Sequence, residues 1–375
     1  MATAVNEMVF IPQFTHPDIS GVVFGGMWYG KYGASQPNAI PDDDNPDVAD
    51  SADPGTVPAA TRAGVPPWRY ISFHQARKAC ANLGVGWHLA TRFETASLAL
   101  WSKLNGTMPH GNNKNVNPPT DTDYPTETAL LDRACFVRNS GWFAALCGTG
   151  PNTWAHNHDA SGVYDLNGNM WEWNDGLLTC PASLNDNSAT PHVVTGAGGA
   201  GYPLVLATLQ VTQARAPYGA STTVAAGRLT DANKVWVADE FNGCFLYDAV
   251  GSLFYIDDTL PTYLTIDGTP AAGAYSILRV VATNIAAGMS SGNKILTLRN
   301  TDADLKPFAI PATADGTGSA TYGNDVFYFD AATLRAALVG GNWYHGTDAG
   351  VFALLLTNAP AFSYAHIGLR VARAI

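Results

Sequence analysis

Gly162-Val-Tyr-Asp-Leu-Asn-Gly-Asn-Met-Trp-Glu-Trp173 is the densest patterned stretch of the chain. It reads as a turn running into a strand. Asp165, Asn167 and Asn169 are short polar side chains of the kind that cap irregular backbone. Trp171 and Trp173 are packing residues, and Glu172 between them reads as a buried, hydrogen-bonded carboxylate. The pair Asp165 and Glu172 invites an acid–base reading, but capping and packing account for both.

Upstream of this stretch lie two helices with clear punctuation. The first is expected to open at Ser72 with Gln75 three residues on, a capping box, and to close at Gly84. Phe73, Ala76, Cys80 and Leu83 then share one face, so Cys80 reads as a small core residue. The second opens at Thr91 with Glu94 and runs through Ala96, Ala99 and Leu100 to about Lys103. Trp87-His-Leu-Ala90 links them as a short buried piece in which His88 is structural, with no partner visible in sequence. Short strands are expected at Met8–Pro12 and Val22–Trp28. Gly33 to Pro67 and Gly106 to Asp159 read as polar loops.

Beyond Trp173 the character changes. Between 204 and 300, alternating segments at Lys234–Val237, Cys244–Tyr247, Leu253–Ile256 and Ile295–Leu298 are separated by turn residues, the pattern of a small all-β module. Near Tyr322 the earlier composition returns. The expected organisation is one domain split by another: 1–185 and 321–375 enclose an inserted β-rich module at 186–320.

Composition sets the outer limits. The 375 residues carry 20 Lys plus Arg against 31 Asp plus Glu, a net charge of −11. So few cations cannot neutralise a phosphate backbone, which argues against nucleic acid as partner. No apolar run is long enough to span a bilayer, so no membrane insertion is expected. The first residues lack the basic and apolar regions of a Sec signal peptide. Five widely spaced cysteines with no C-x-x-C suggest neither a disulfide framework nor a structural zinc site. The expectation is a chain made in a reducing cytoplasm and displayed at a surface; if it works outside cells, it leaves by a route such as lysis.

Other motifs in the chain have plainer readings. Gly196-Ala-Gly-Gly-Ala-Gly201 fits G-x-G-x-x-G, but Pro203 follows and no helix begins, so it reads as a junction. His156-Asn-His158-Asp159 offers two imidazoles for a metal, yet no third ligand is evident. Asp42, Asp43, Asp44, Asp47, Asp50 and Asp53 do not keep the order of a calcium loop. Gln36-Pro-Asn38 and Trp173-Asn-Asp175 look like calcium-lectin sugar motifs but lie too far apart in the chain. No cofactor is expected, with structural calcium left open.

The stretch 162–173 is similar to the G-L-Y-D-M-x-G-N-V-W-E-W signature of formylglycine-generating-enzyme-like proteins. Met8-Val-Phe-Ile-Pro12, the two capped helices, Gly340-Gly-Asn-Trp343 and Gly368-Leu-Arg370 follow in that family's order. The resemblance covers about 1–180 and 320–375. It implies an α+β, C-type-lectin-like fold: two helices, a twisted antiparallel sheet and long loops. The family's enzymes use a cysteine pair in the C-terminal part of the domain to bind copper. Here no thiol follows Cys244, so the resemblance implies no oxidase. A metal enzyme without cysteine would have to draw on His156, His158 and His345, and a virion decoration protein is the third reading.

The segment 340–370 resembles the variable region of diversity-generating-retroelement proteins. Its frame is Gly340, Gly341, Trp343, Ala349, Gly350, Phe352, Pro360, Ile367, Gly368 and Arg370. The resemblance makes Asn342, Tyr344, His345, Thr347, Asp348, Leu355, Thr357, Asn358, Phe362, Tyr364 and His366 the diversified, ligand-binding positions. Trp343 and Phe352 read as core anchors. Phe362, Tyr364 and His366 alternate, so one face of an extended segment would carry all three. Rigid aromatics mixed with short polar groups suit a paratope. The implied partner is a protein or glycan on a target cell, and the implied role is viral or phage attachment. Oligomeric state is left open.

Overall fold

The computed structural model describes residues 6–40, 53–139, 141–180 and most of 204–374. Between 181 and 203 it describes only Asn185–Asp186 and His192–Val193. Further on, 209–217, 249–252, 283–288, 302–304, 331–333 and some single residues or pairs between 222 and 267 fall outside it. Among the described residues the chain is α+β, with three α-helices and a predominance of sheet.

Both predicted capping boxes form. In α1 (Phe73–Ala81) the Ser72 hydroxyl accepts from Gln75 N, while Gln75 Oε1 accepts from Ser72 N at 2.8 Å. This helix stops at Asn82, two residues before Gly84. Gly84, at φ +107°, turns the chain just after the cap, a conformation costly for any other residue. Phe73, Ala76 and Cys80 are buried as expected, and Leu83 packs at the margin. In α2 (Arg92–Asn105) Thr91 and Glu94 form the box and Gly106 closes it in the left-handed region.

His88 does have a partner: Nε2 lies 2.9 Å from Glu94 Oε1, while Nδ1 lies 3.1 Å from Gly86 O. With its Nδ1 hydrogen given to that carbonyl, a neutral His88 offers only an acceptor at Nε2. The shared proton then sits on Glu94, whose carboxyl burial pushes up to about 7. A third helix, α3 (Arg133–Arg138), lies inside the stretch expected to be loop. It is too short to show helical periodicity, and Asp132 caps it by accepting from Cys135 N at 3.1 Å.

Strand Trp171–Cys180 is the axis of the sheet. It pairs antiparallel with Arg335–Gly340, parallel with Ile367–Leu369, and antiparallel with Leu204–Thr208. Gly350–Leu356 adds to Arg335–Gly340 and runs parallel to Val326–Phe329. A separate four-stranded sheet places Val371–Arg373 between Met27–Gly30 and Trp87–Leu89, with Met8–Ile11 outermost. The end of the chain is thus stitched into its beginning.

Alternate residues of the central strands enter two cores. Val339, Phe352 and Leu354 join Phe24, Phe93 and Leu100; Leu338 and Ala353 join Phe73, Trp171 and Trp173. The sheet is therefore covered on both faces, α2 lying over one and α1 over the other.

Strands between 204 and 282 form an antiparallel ladder with its own cluster, including Leu246, Ile256, Leu264 and Tyr275. Segments 244–247, 253–256 and 295–298 fall in or overlap strands as expected. Lys234 and Val237 lie outside the described residues, and Val235 and Trp236 are not in a strand. The ladder is continuous with the central sheet through Leu204–Thr208. Phe245 and Tyr247 pack into the core of α1, and Ile295, Leu298 and Phe308 into that of α2.

One polar group ties these layers together. Arg370 is fully buried and gives two hydrogen bonds to Glu172, Nε to Oε2 at 2.8 Å and Nη2 to Oε1 at 2.7 Å. It also donates to Gly30 O at 3.0 Å and Asp165 O at 3.2 Å. Removing one partner of such a pair strands the other without water, at a cost of about 3–5 kcal/mol. Arg370→Met is expected to lose that much in denaturant unfolding. Arg370→Met with Glu172→Met should lose less than the sum of the two single variants.

Candidate binding surface

The expected variable segment sits on the hairpin Arg335–Gly340 and Gly350–Leu356. Gly340 and Gly341 end the first strand at φ +94° and +81°, and a Cβ on Gly341 would lie 2.5 Å from that of Ala349. Only glycine fits there, so the turn has one path. Trp343 then drops into the interior, fully buried against Cys135, Ala144 and Met170. Phe352 is likewise buried, and both core anchors are where the sequence puts them.

Asn342 departs from the expected role. It is fully buried, so its side chain meets no ligand directly. Its Oδ1 instead accepts from Tyr344 N at 3.1 Å and from His345 Nδ1 at 2.7 Å. This Asx turn fixes the two residues that follow.

Those residues open an aromatic surface. Tyr344 is 46% exposed, Phe362 40% and Tyr364 42%. Phe362 stacks on Tyr364 at 6.2 Å between centroids, Tyr364 meets His366 edge-on at 4.9 Å, and His366 meets Tyr344 at 5.5 Å. The Tyr344 hydroxyl lies 3.2 Å from His366 Nδ1. The period-two reading of 362, 364 and 366 therefore holds as a shared face, although the segment is irregular backbone rather than a strand.

The remaining expected positions spread outward. His345 is half-buried, stacked on Tyr344 at 5.1 Å and edge-on to Trp171 at 5.2 Å. Thr347 and Asp348 both face Lys294, each at 3.5 Å from its Nζ. Leu355 is half-buried opposite Tyr328 in the parallel register and packs into the α1 core. Thr357 and Asn358 are half-buried beyond the strand end, the Asn358 carbonyl accepting from Ala336 N.

Three residues outside 340–370 complete the surface. Trp142 reaches Trp343, Tyr344 and Tyr364 at 5.8, 6.5 and 6.0 Å. Tyr70 lies 6.3 Å from Tyr364, donates its backbone N–H to Tyr364 O, and gives its hydroxyl to Asn139 Oδ1 at 3.1 Å. Arg138 sits over the Tyr70 ring at 4.6 Å. In sequence Trp142 stands beside Phe143 and Tyr70 two residues after Trp68, both outside any periodic element, and Arg138 carries no signal of its own. Tyr70 adopts φ +53°, a strained conformation for a bulky residue that marks a constrained position.

The metal candidates are otherwise engaged. His156 accepts from Val163 N through Nδ1 and packs against Trp101, and burial pulls it down to about 4. His158 Nε2 lies 2.9 Å from the Met108 carbonyl. His345 has a different set of neighbours, and among the described residues no three His, Cys, Asp or Glu side chains are grouped to hold a metal ion. Asp175 of Trp173-Asn-Asp175 pairs with Arg77 at 3.0 Å. Asp53 pairs with Lys78, whereas Asp42, Asp43, Asp44, Asp47 and Asp50, like Gly196–Gly201, lie outside the described residues. Among the described residues no helix is long and apolar enough to cross a membrane.

With this geometry in view, comparison with known proteins adds no relative: no family model matches the chain, and no curated protein matches it.

Burial among rings pulls His345 and His366 down to about 4, so both are neutral at ordinary pH. An unfolded imidazole titrates near 6.5, so folding holds off a proton between those values. Their share of stability is full above pH 6.5 and is lost as pH falls through about 4. Proton-coupled NMR of the two imidazoles is expected to give midpoints near 4; midpoints above 6 would show that the rings are solvated and the surface is not packed as described.

Proposed function

We propose that the chain is a non-enzymatic binding protein with a C-type-lectin-like fold of the formylglycine-generating-enzyme type. Its C-terminal segment displays a diversifiable site that attaches a virus or phage to a protein or glycan of its host. The observation that carries this reading is the exposed cluster of Tyr344, Phe362 and Tyr364, gathered around a half-buried His366 on a rigid base. Large apolar rings facing water cost solvation unless a partner covers them, and grouped exposure of this kind marks recognition surfaces. Tyrosine gives contact area with little rotamer entropy to lose, and its hydroxyl tolerates both wet and covered states.

The base explains how such a site tolerates rewriting. Trp343 and Phe352 point inward from the same segment whose rings point outward, so the core and the surface use different side chains. Exposed positions can then change without opening a cavity. Among the described side chains thiol chemistry finds no support either: Cys80, Cys135, Cys147 and Cys244 are all buried, and burial pushes the Cys80 and Cys147 thiols up, away from the reactive thiolate.

Two outcomes test the reading. Single changes of Tyr344, Phe362 or Tyr364 to Ser are expected to cost less than about 1 kcal/mol in thermal unfolding, while Trp343→Ala costs about 3–5 kcal/mol. A library randomised at Tyr344, Thr347, Phe362, Tyr364 and His366 should remain mostly folded and yield binders to unrelated purified proteins such as lysozyme. A library that is mostly unfolded, or that yields no binder to any target, would sink the proposal. In the source genome, a near-copy of the codons for 340–370, differing where it carries adenines and lying beside a reverse-transcriptase gene, is the expected companion.

A further inference from the structure

The aromatic surface does not stop at the segment 340–370. Helix α3 (Arg133–Arg138) exposes Phe136 by 40% and Val137 by 56%. The Phe136 ring stacks on Phe143 at 5.7 Å, and Phe143 follows Trp142, which reaches Tyr344 and Tyr364. Beneath this surface Cys135 of α3 shares a buried cluster with Trp343 and Trp142. The helix and the expected variable segment are therefore packed on one base, and their apolar faces are continuous.

Charge then narrows the partner. The whole chain carries −11, yet α3 has Arg133 and Arg138, both exposed, and no acid. Arg138 is laid over Tyr70, which holds a cation at the rim of the rings. Arginine with tyrosine and tryptophan is the composition of protein–protein hot spots. A sugar would need side-chain carboxylates and amides to take its hydroxyls. Asn342 is buried, Asn139 Oδ1 is taken by Tyr70, and Asp348 faces Lys294.

We propose that the attachment surface is composite: Tyr70, Trp142 and α3 form a fixed half beside the variable half, and the partner is a polypeptide whose carboxylate side chains flank apolar ones. This rests on the attachment reading and deepens it. The fixed half would give every variant the same electrostatic preference, while the variable rings select among acidic targets. Rim arginines would act mainly by steering and register, so salt should weaken binding.

The test uses the full chain against a random peptide display library, with a glycan array and phosphatidylglycerol vesicles as parallel probes. The wild type is expected to enrich peptides in which Asp or Glu neighbours Leu, Phe or Trp. Arg133→Glu with Arg138→Glu, both at exposed positions, should weaken those peptides by about tenfold or more and reverse their salt dependence, since salt then screens a repulsion. Thermal unfolding checks that this variant remains folded. Tyr364→Ser should weaken the same peptides whatever their charge. Peptides without acids, or acidic peptides indifferent to the charge reversal while still dependent on Tyr364, would overturn the composite surface and leave the attachment reading standing. Binding only to glycans or only to vesicles would also overturn it. No enrichment on any probe, with no effect of Tyr364→Ser, would instead remove the attachment reading.

Discussion

The buried guanidinium of Arg370 is the constraint on which the other parts depend. It reaches Glu172 on the axial strand, Gly30 on the N-terminal sheet and Asp165 in the turn that precedes the axis. A charged group with no exposure is tolerable only when every donor has a fixed acceptor, which sets strict geometry on all three segments. Glu172 in turn could not stay ionised at this depth alone: burial raises its carboxyl, and Arg370 opposes that shift. The planar fork of arginine meets the two carboxylate oxygens together, an arrangement lysine cannot reproduce. The end of the chain is therefore held in register with its beginning by chemistry and not only by apolar contact.

From this anchor the candidate surface inherits its rigidity. Residue 370 closes a segment whose other fixed points are Gly341, Trp343 and Gly350. At Gly350 a Cβ would lie 2.1 Å from the Asp325 carboxylate, which is buried beneath it. Asp325 accepts from Phe352 N, and burial raises its carboxyl well above the ordinary range. Glycine permits the close approach, the carboxylate satisfies the backbone, and the strand can start in only one position. Between fixed points the chain carries Tyr344, Phe362 and Tyr364 outward.

How much of this was legible beforehand depended on whether the signal was local. Capping boxes at Ser72 and Thr91 are read from residues three apart, and both form. Glu172 was readable as a buried carboxylate from its tryptophan neighbours, but its partner 198 positions away was not. The capping roles of Asp165, Asn167 and Asn169 were visible, and all three bind loop groups: Gly148 N, Pro109 O and Ala145 N respectively. Helix α3 was missed because its six residues give no period to detect. Trp142 and Tyr70 were missed because an aromatic outside any periodic element acquires meaning only from what the fold brings beside it. Asn342 was misread for a related reason, since its short polar side chain suits both a contact and an Asx turn, and only burial separates them.

The burial of Asn342 also bears on how the candidate surface is built. Asn342 shows that a residue within the segment can serve the site by holding its neighbours, so not every polar position is a contact. The exposed rings divide the labour differently: Tyr364 is held by the backbone of Tyr70 and by Trp142, both outside the segment. A loop that ordered itself would lose conformational entropy on binding, whereas rings fixed by foreign residues have lost it already. The Tyr70 bond runs from backbone to backbone, so that part of the preorganisation is independent of the side chain displayed at 364. The small share of charged residues, 14%, and the 37 glycines and 10 tryptophans fit the same design. Irregular backbone must be pinned by large buried rings and close glycine contacts, because it lacks the ladders that regular elements provide.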